Sequence, residues 1–60
     1  MRYRIQFLDG AATILREMHS DARSVGGAIE LITGIEWPPK ATTLRILDLD
    51  GREVYSRDRD

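Results

Sequence analysis

The sequence predicts an α+β fold in which two β-hairpins flank one helix, in the order ββαββ. Three features predict it: alternating apolar and polar residues near the start, apolar residues at helical spacing in the middle, and a second alternating segment interrupted by Asp-Gly. The hairpins would form a four-stranded antiparallel sheet with the helix packed on one face. We expect strands at residues 2–8, 12–19, 42–48 and 52–57, a helix at 21–33, and a frayed tail at 58–60. Sixty residues allow one domain, residues 1–60.

The first hairpin is predicted from a strand whose alternate residues are aromatic or β-branched. Tyr3, Ile5 and Phe7 would face the core. Asp9-Gly10 then supplies the positive φ angles of a two-residue turn. That turn places these residues opposite each other: Phe7 and Ala12, Ile5 and Ile14, Tyr3 and Arg16. We therefore expect Ile5 and Ile14 to be buried neighbours.

The helix is predicted from the middle of the chain. Either Ser20 or Asp21 can cap its N-terminus, because both side chains accept hydrogen bonds from free backbone amides. Apolar residues follow at helical spacing: Val25, Ile29 and Ile32. Gly34 is suited to end the helix. We interpret Gly26 and Gly27 as sites where the helix approaches the sheet closely, since a phosphate site would need glycines before the helix N-terminus.

A connection with two consecutive prolines follows the helix. Residues 35–40 read IEWPPK, and the prolines exclude a helix there and keep the chain extended. Trp37 is the only tryptophan. We expect it to be largely buried near Ile32, where it would close one end of the core.

The second hairpin is predicted to turn at Asp48–Gly51. Asp at the first position and Gly at the fourth are typical of a type I turn, here with Gly51 as a bulge residue. The strands would then pair Ile46 with Val54 and Leu44 with Ser56, leaving Arg45, Leu47 and Tyr55 on the outer face. A two-residue turn at Asp50-Gly51 is the alternative, and it would place Leu47 opposite Val54 and exchange the two faces.

Composition excludes several classes of protein. The chain has no cysteine, nine Lys+Arg, ten Asp+Glu and a net charge of −1. It therefore has no disulfide, no cysteine-ligated zinc and no thiol nucleophile. No apolar run approaches the roughly 18 residues of a membrane span, and the N-terminus lacks the apolar region of a signal peptide. We expect a soluble cytoplasmic protein that does not associate with membranes.

Three groups of residues could in principle form chemical sites. Glu17, His19 and Asp21 would share a strand face if the second strand continued that far, and such a row can bind a metal, but a structural metal would need four ligands. Asp48 and Asp50 resemble the start of a calcium loop, yet the twelfth position is an arginine, so turn geometry explains them better. Only one histidine is present to activate any of three serines, Ser20, Ser24 and Ser56. We therefore predict no catalytic residue, no metal and no cofactor.

The segments YRIQFLDG and LRILDLDGREVYSR, with a helix between them, resemble a family of short bacterial proteins of unknown function. Those proteins begin with an aromatic strand that runs into Asp-Gly and end with a D-x-D-G-R-x-V hairpin. The resemblance implies the same ββαββ pattern. It implies no activity and no site residues.

The predicted function is a non-catalytic protein-interaction module, acting as a homodimer or an accessory subunit. A chain this short gains little net stability from its own core, which favours sharing that core with a partner. The predicted interface is an apolar strip of Leu47, Leu49 and Tyr55 on the uncovered side of the sheet. The alternative is a nucleic-acid-associated regulator, using arginines on the sheet: Arg2, Arg4, Arg45, Arg57 and Arg59. The net negative charge disfavours that alternative.

Overall fold

The computed structural model describes residues 2–59 and confirms the predicted fold class. The elements are β1 (Tyr3–Leu8), β2 (Ile14–Ser20), α1 (Val25–Ile32), β3 (Thr43–Leu47) and β4 (Glu53–Asp58). The strands form one antiparallel sheet in the order β2-β1-β3-β4. Across residues 2–59, no helix is long and apolar enough to cross a membrane.

The core lies between α1 and one face of the two central strands. Its largest fully buried side chains are Phe7, Ile5, Leu44 and Ile46. Alternate residues of β1 and β3 supply them because successive side chains of a strand point to opposite faces. The helix contributes Ala28 and Ile32. One amphipathic helix therefore covers one face of the sheet.

The loop of the first hairpin is longer than predicted. Asp9 and Thr13 close it through a backbone hydrogen bond of 3.1 Å, and the Asp9 side chain accepts hydrogen bonds of 2.9 Å from the amides of Ala11 and Thr13. The left-handed residue is Ala12 (φ 63°), and Gly10 does not adopt a positive φ. The predicted two-residue turn is therefore wrong, because the Asp9 carboxylate stabilises a wider loop.

The wider loop changes the strand register. Ile5 lies opposite Met18, whereas Ile14 lies opposite Leu8. A bulge in β2 leaves Leu15, the residue between Ile14 and Arg16, without a partner residue on β1. The predicted burial of Ile5 is confirmed at 1% exposure, but Ile14 is 46% exposed and its predicted burial is wrong. Phe7 faces Arg16 and Tyr3 faces Ser20, so the other predicted pairs are also wrong.

The helix begins four residues later than predicted. Ser24 is its N-cap, and the Ser24 hydroxyl accepts a hydrogen bond of 3.2 Å from the amide of Gly27. Neither predicted cap is available, because the Ser20 hydroxyl accepts from the amide of Ala22 and Asp21 forms an ion pair with Arg2. The helix ends at Ile32, one residue before the predicted end, and Thr33 is its C-cap. Gly34 follows with φ 87°, the left-handed conformation expected of a glycine at a helix end.

The two helical glycines do not mark a contact with the sheet. They lie in the first turn of α1, and the atoms nearest to a Cβ built on either one belong to Ala22 and Ser24. The interpretation that Gly26 and Gly27 allow close approach to the sheet is therefore wrong.

The second hairpin has the predicted turn but a different register. Gly51 (φ 81°) donates its amide to the carbonyl of Asp48 at 3.1 Å, and the Asp48 carboxylate accepts two further amides. A second bulge then leaves Val54 unpaired, so that Ile46 lies opposite Tyr55 and Leu47 opposite Glu53. The predicted pairings of Ile46 with Val54 and of Leu44 with Ser56 are wrong, and Leu44 lies opposite Arg57 instead. Tyr55 consequently packs against the core on the helix side.

Trp37 closes one end of the core, as predicted, but it is half-buried. Its ring meets the Phe7 ring edge-on, with 5.4 Å between the ring centroids, and the Arg59 guanidinium lies 6.0 Å from the Trp37 centroid. Arg59 also donates hydrogen bonds of 3.1–3.2 Å to three backbone carbonyls, those of Pro38, Pro39 and Ala41. The predicted fraying is thus wrong for Asp58, which is in β4, and for Arg59, while Asp60 lies outside the described residues.

Candidate functional site

The candidate site is the sheet face opposite α1, which we call the open face. Gln6 and Leu8 lie on it in β1, because Ile5 and Phe7 point to the helix side. Within residues 2–59, the single helix packs on the other face. The open face is therefore the face of the sheet on which no described helix packs.

Three polar side chains form a row across three strands of the open face. Gln6, which is only 3% exposed, donates from Nε2 to Glu17 Oε2 at 2.6 Å. Its other side-chain atom, Oε1, accepts a hydrogen bond of 2.7 Å from Arg45 Nε. The Gln6 amide thus joins a cation on β3 to an anion on β2, and we call these three residues the polar row. Both ends of a buried amide are satisfied, which holds the row in one arrangement.

Glu17 is the anion of the polar row, and its neighbours lower its pKa. The hydrogen bond from Gln6 lowers the pKa of Glu17, partial burial opposes that shift, and the nearby charges of Arg4 and His19 reinforce it. His19 Nε2 lies 3.6 Å from Glu17 Oε1. Because the pKa in the folded state is below the ordinary value of 4.5, ionised Glu17 stabilises the fold above pH 4.5, and this contribution is lost as the pH falls through the lowered pKa.

Replacing Gln6 with methionine should return the pKa of Glu17 towards its ordinary value. Methionine fills a similar volume but cannot donate the hydrogen bond that is the largest cause of the shift. The measurement is an NMR titration of the Glu17 carboxyl carbon in the native protein and in Gln6→Met. An unchanged midpoint in a folded Gln6→Met variant would contradict the role given to Gln6. Thr43→Val, on the same face, is the control, since Thr43 bonds Asp58 and not Glu17.

Apolar side chains flank the polar row but are already covered. Leu8 is 5% exposed and Leu47 is 7% exposed, although neither belongs to the core cluster under the helix. Arg4 lies opposite Leu47, and its Nη2 atom would lie 3.8 Å from a Cβ built on Gly51. Long polar side chains with apolar stems can shield leucines in this way. Apart from Ile14, which lies opposite Leu8 and is exposed, the open face presents mainly polar and charged groups.

The three residues of the predicted interface do not form one exposed strip. Leu47 is buried, Tyr55 packs against the core on the helix side, and Leu49 at the hairpin turn is 67% exposed. The bulge at Val54 separates them, because it moves Tyr55 to the opposite face from Leu47. The other large apolar residues with high exposure are Ile14 (46%), Leu15 (38%), Leu31 (58%) and Val54 (37%).

The residues considered for chemistry serve local structure. Within residues 2–59 there is no group of three or more His, Asp or Glu side chains that could hold a metal ion. Asp21 pairs with Arg2, with 3.4 Å between Asp21 Oδ1 and Arg2 Nε. The Asp48 carboxylate accepts the amides of Asp50 and Arg52, which is turn geometry. Ser20 and Ser24 accept backbone amides, and Ser56 lies opposite Arg45 in the sheet.

The arginines are divided between the two faces of the sheet. Arg45 is hydrogen-bonded to Gln6 on the open face. Arg4 lies on the same face, because it alternates with the core residues of β1, and it is half-buried. Arg57 and Arg59 line a groove beside Trp37 on the helix side. A single basic surface, which phosphate recognition would use, is therefore not formed by these side chains.

No protein-family model matches this chain, and no curated protein or solved structure matches it.

Proposed function

We propose that this chain is a non-catalytic protein-interaction module that acts as a homodimer or as an accessory subunit. The observation that carries the proposal is a four-stranded sheet with the helix on only one face and with two edge strands, β2 and β4, whose outer edges pair with no described strand. Sheet edges present backbone N–H and C=O groups to which another strand can bind. Such a sheet is a surface for adding a partner.

The side chains of β2 and β4 support this proposal. Six of the seven β2 residues and all six β4 residues are exposed or half-buried. Several of them are apolar, including Ile14, Leu15 and Val54. Exposed apolar residues on an edge strand, one of whose sides is unpaired, are the pattern that favours association.

The distribution of charge favours a protein partner over nucleic acid. Glu17 lies in the polar row, and Glu53 lies opposite Leu47 on the same face, so acidic groups interrupt the basic ones. A surface of mixed charge suits a protein, whereas a phosphate backbone needs a basic surface. Retention on heparin at low salt would support nucleic-acid binding instead, and elution without retention is expected.

Light scattering of the purified protein at micromolar concentrations tests self-association directly. We expect a mass near twice 6.8 kDa, with dissociation on dilution. A mass of 6.8 kDa at every concentration would contradict the homodimer. Two matched variants locate the contact: Leu49→Arg on the second hairpin and Leu31→Arg on the helix, both at exposed leucines. We expect Leu31→Arg to remain dimeric, and dissociation of Leu49→Arg alone would place the contact at the hairpin turn.

A further inference from the structure

The two sheet edges differ in how regular they are. The pairing of β2 with β1 is regular from Arg16 to Ser20, and its only bulge lies before Arg16. In β4 the bulge at Val54 lies at the equivalent position, the second residue of the strand, and leaves a regular stretch from Tyr55 to Asp58. Bulges protect sheet edges from pairing because they displace the backbone groups that a neighbouring strand would bind. Beyond its bulge β2 has five regularly paired residues against four in β4, so the edge of β2 offers the longer stretch to another strand.

A twofold axis perpendicular to the sheet would place β2 antiparallel to β2 of a second copy. Each possible register has a central residue opposite its own equivalent, and the charges decide among the registers. A register centred on Glu17 brings two carboxylates together. A register centred on His19 places Glu17 opposite Asp21 of the second copy. Both therefore place like charges opposite each other, which disfavours them.

The register centred on Met18 has no such conflict. It places Glu17 opposite His19 of the second copy, and this pair occurs twice because of the symmetry. Arg16 then lies opposite Ser20 of the second copy, and the whole register lies within the regular stretch. This register also pairs residues that lie on the same face of the sheet: Glu17 and His19 are both on the open face, while Met18 packs on the helix side.

The groups that this register brings together are accessible in the monomer. The Glu17 side chain is 37% exposed and the His19 side chain is 57% exposed. Glu17 also receives the hydrogen bond from Gln6, which fixes the direction of its carboxylate. Two charged groups lie next to His19 within one copy: Arg4 is opposite His19 on β1, and Glu17 is two residues away on the same face of β2. A second copy would add another carboxylate, so that two Glu17 and two His19 side chains alternate across the interface.

Of the registers centred on Glu17, Met18 and His19, the one centred on Met18 is therefore favoured by the charges of β2. We propose that two copies of this chain pair through β2, antiparallel and centred on Met18, to form one eight-stranded sheet. The inference rests on the proposed homodimer and specifies which edge, register and residues form it. The polar row of each copy would then lie on one continuous open face, with Glu17 connecting each row to the dimer interface.

Charge substitutions at His19 test the register. His19→Glu places two carboxylates opposite each other at two positions, and the dimer Kd from sedimentation equilibrium should rise about tenfold. His19→Lys places a permanent cation opposite Glu17, and its Kd should be equal to or lower than that of the native protein. Ser56→Glu, on the other edge, is the matched control and should leave the Kd unchanged. Circular dichroism confirms that each variant is folded.

The possible failures are distinguishable. A native protein that is monomeric at every concentration overturns both the proposed homodimer and this interface. A native dimer that His19→Glu leaves intact while Ser56→Glu dissociates it overturns the β2 interface alone. A native dimer that both variants leave intact also overturns it, because the contact would then lie away from both edges.

Discussion

Replacing Phe7 with alanine should unfold the protein at ambient temperature. Phe7 is fully buried in β1, between the helix and the central strands, and it supports the ring of Trp37. Truncating such a side chain removes about 3–5 kcal/mol of stability, because it loses buried apolar area and leaves a cavity. A domain of this size has only about 5 kcal/mol of stability or less, so the loss is comparable to the whole.

Urea denaturation followed by circular dichroism measures this effect. Leu31→Ala is the matched control, since Leu31 is 58% exposed and its truncation should change stability by less than about 0.5 kcal/mol. Equal unfolding midpoints for Phe7→Ala and Leu31→Ala would show that the core is not where the structure places it.

Replacing Trp37 with alanine should cost about 3 kcal/mol, which is near the lower end of the range for buried aromatic residues. The ring is half-buried, so the loss should be smaller than for Phe7. Two contacts disappear with it, the edge-on contact with Phe7 and the cation–π contact with Arg59.

Thermal melting of Trp37→Ala and Trp37→Phe by circular dichroism checks this expectation. Phenylalanine retains an aromatic edge against Phe7, so that variant should recover part of the lost stability. A Trp37→Ala variant that melts within about two degrees of the native protein would mean that the ring contributes little to the fold. Trp37 would then be available for binding instead.

The order of the elements could be predicted because it depends on period and turn chemistry. The turn at Asp48–Gly51 was predicted correctly, since an aspartate at its first position and a glycine at its last have well-defined roles. The loop after Asp9 has the same hydrogen bonds as that turn: the Asp9 carboxylate accepts the amides of Ala11 and Thr13, as Asp48 accepts those of Asp50 and Arg52. Its left-handed position is held by Ala12 instead of a glycine, so the dipeptide Asp9-Gly10 pointed to the wrong turn residues.

The polar row could not be predicted without the correct register. The predicted two-residue turn places Gln6 opposite Thr13, whereas the observed loop places it opposite Glu17. Arg45 reaches Gln6 only because β3 pairs with β1, and the strand order across two hairpins is not encoded in local pattern. Neither bulge is predicted from the sequence pattern, and the bulge at Val54 decides that Tyr55 and Leu47 lie on opposite faces.

Amide hydrogen exchange of the native protein, measured by NMR at concentrations above and below the dimer Kd, tests pairing through β2 most directly. In the monomer, the outward amides of β2 and β4 both face solvent, because neither edge pairs with another described strand. In the proposed dimer, the outward amides between Arg16 and Ser20 are hydrogen-bonded to the second copy. We predict that their protection rises with concentration while that of the outward β4 amides stays constant. Protection that is independent of concentration on β2, or that rises on β4 instead, would contradict the account.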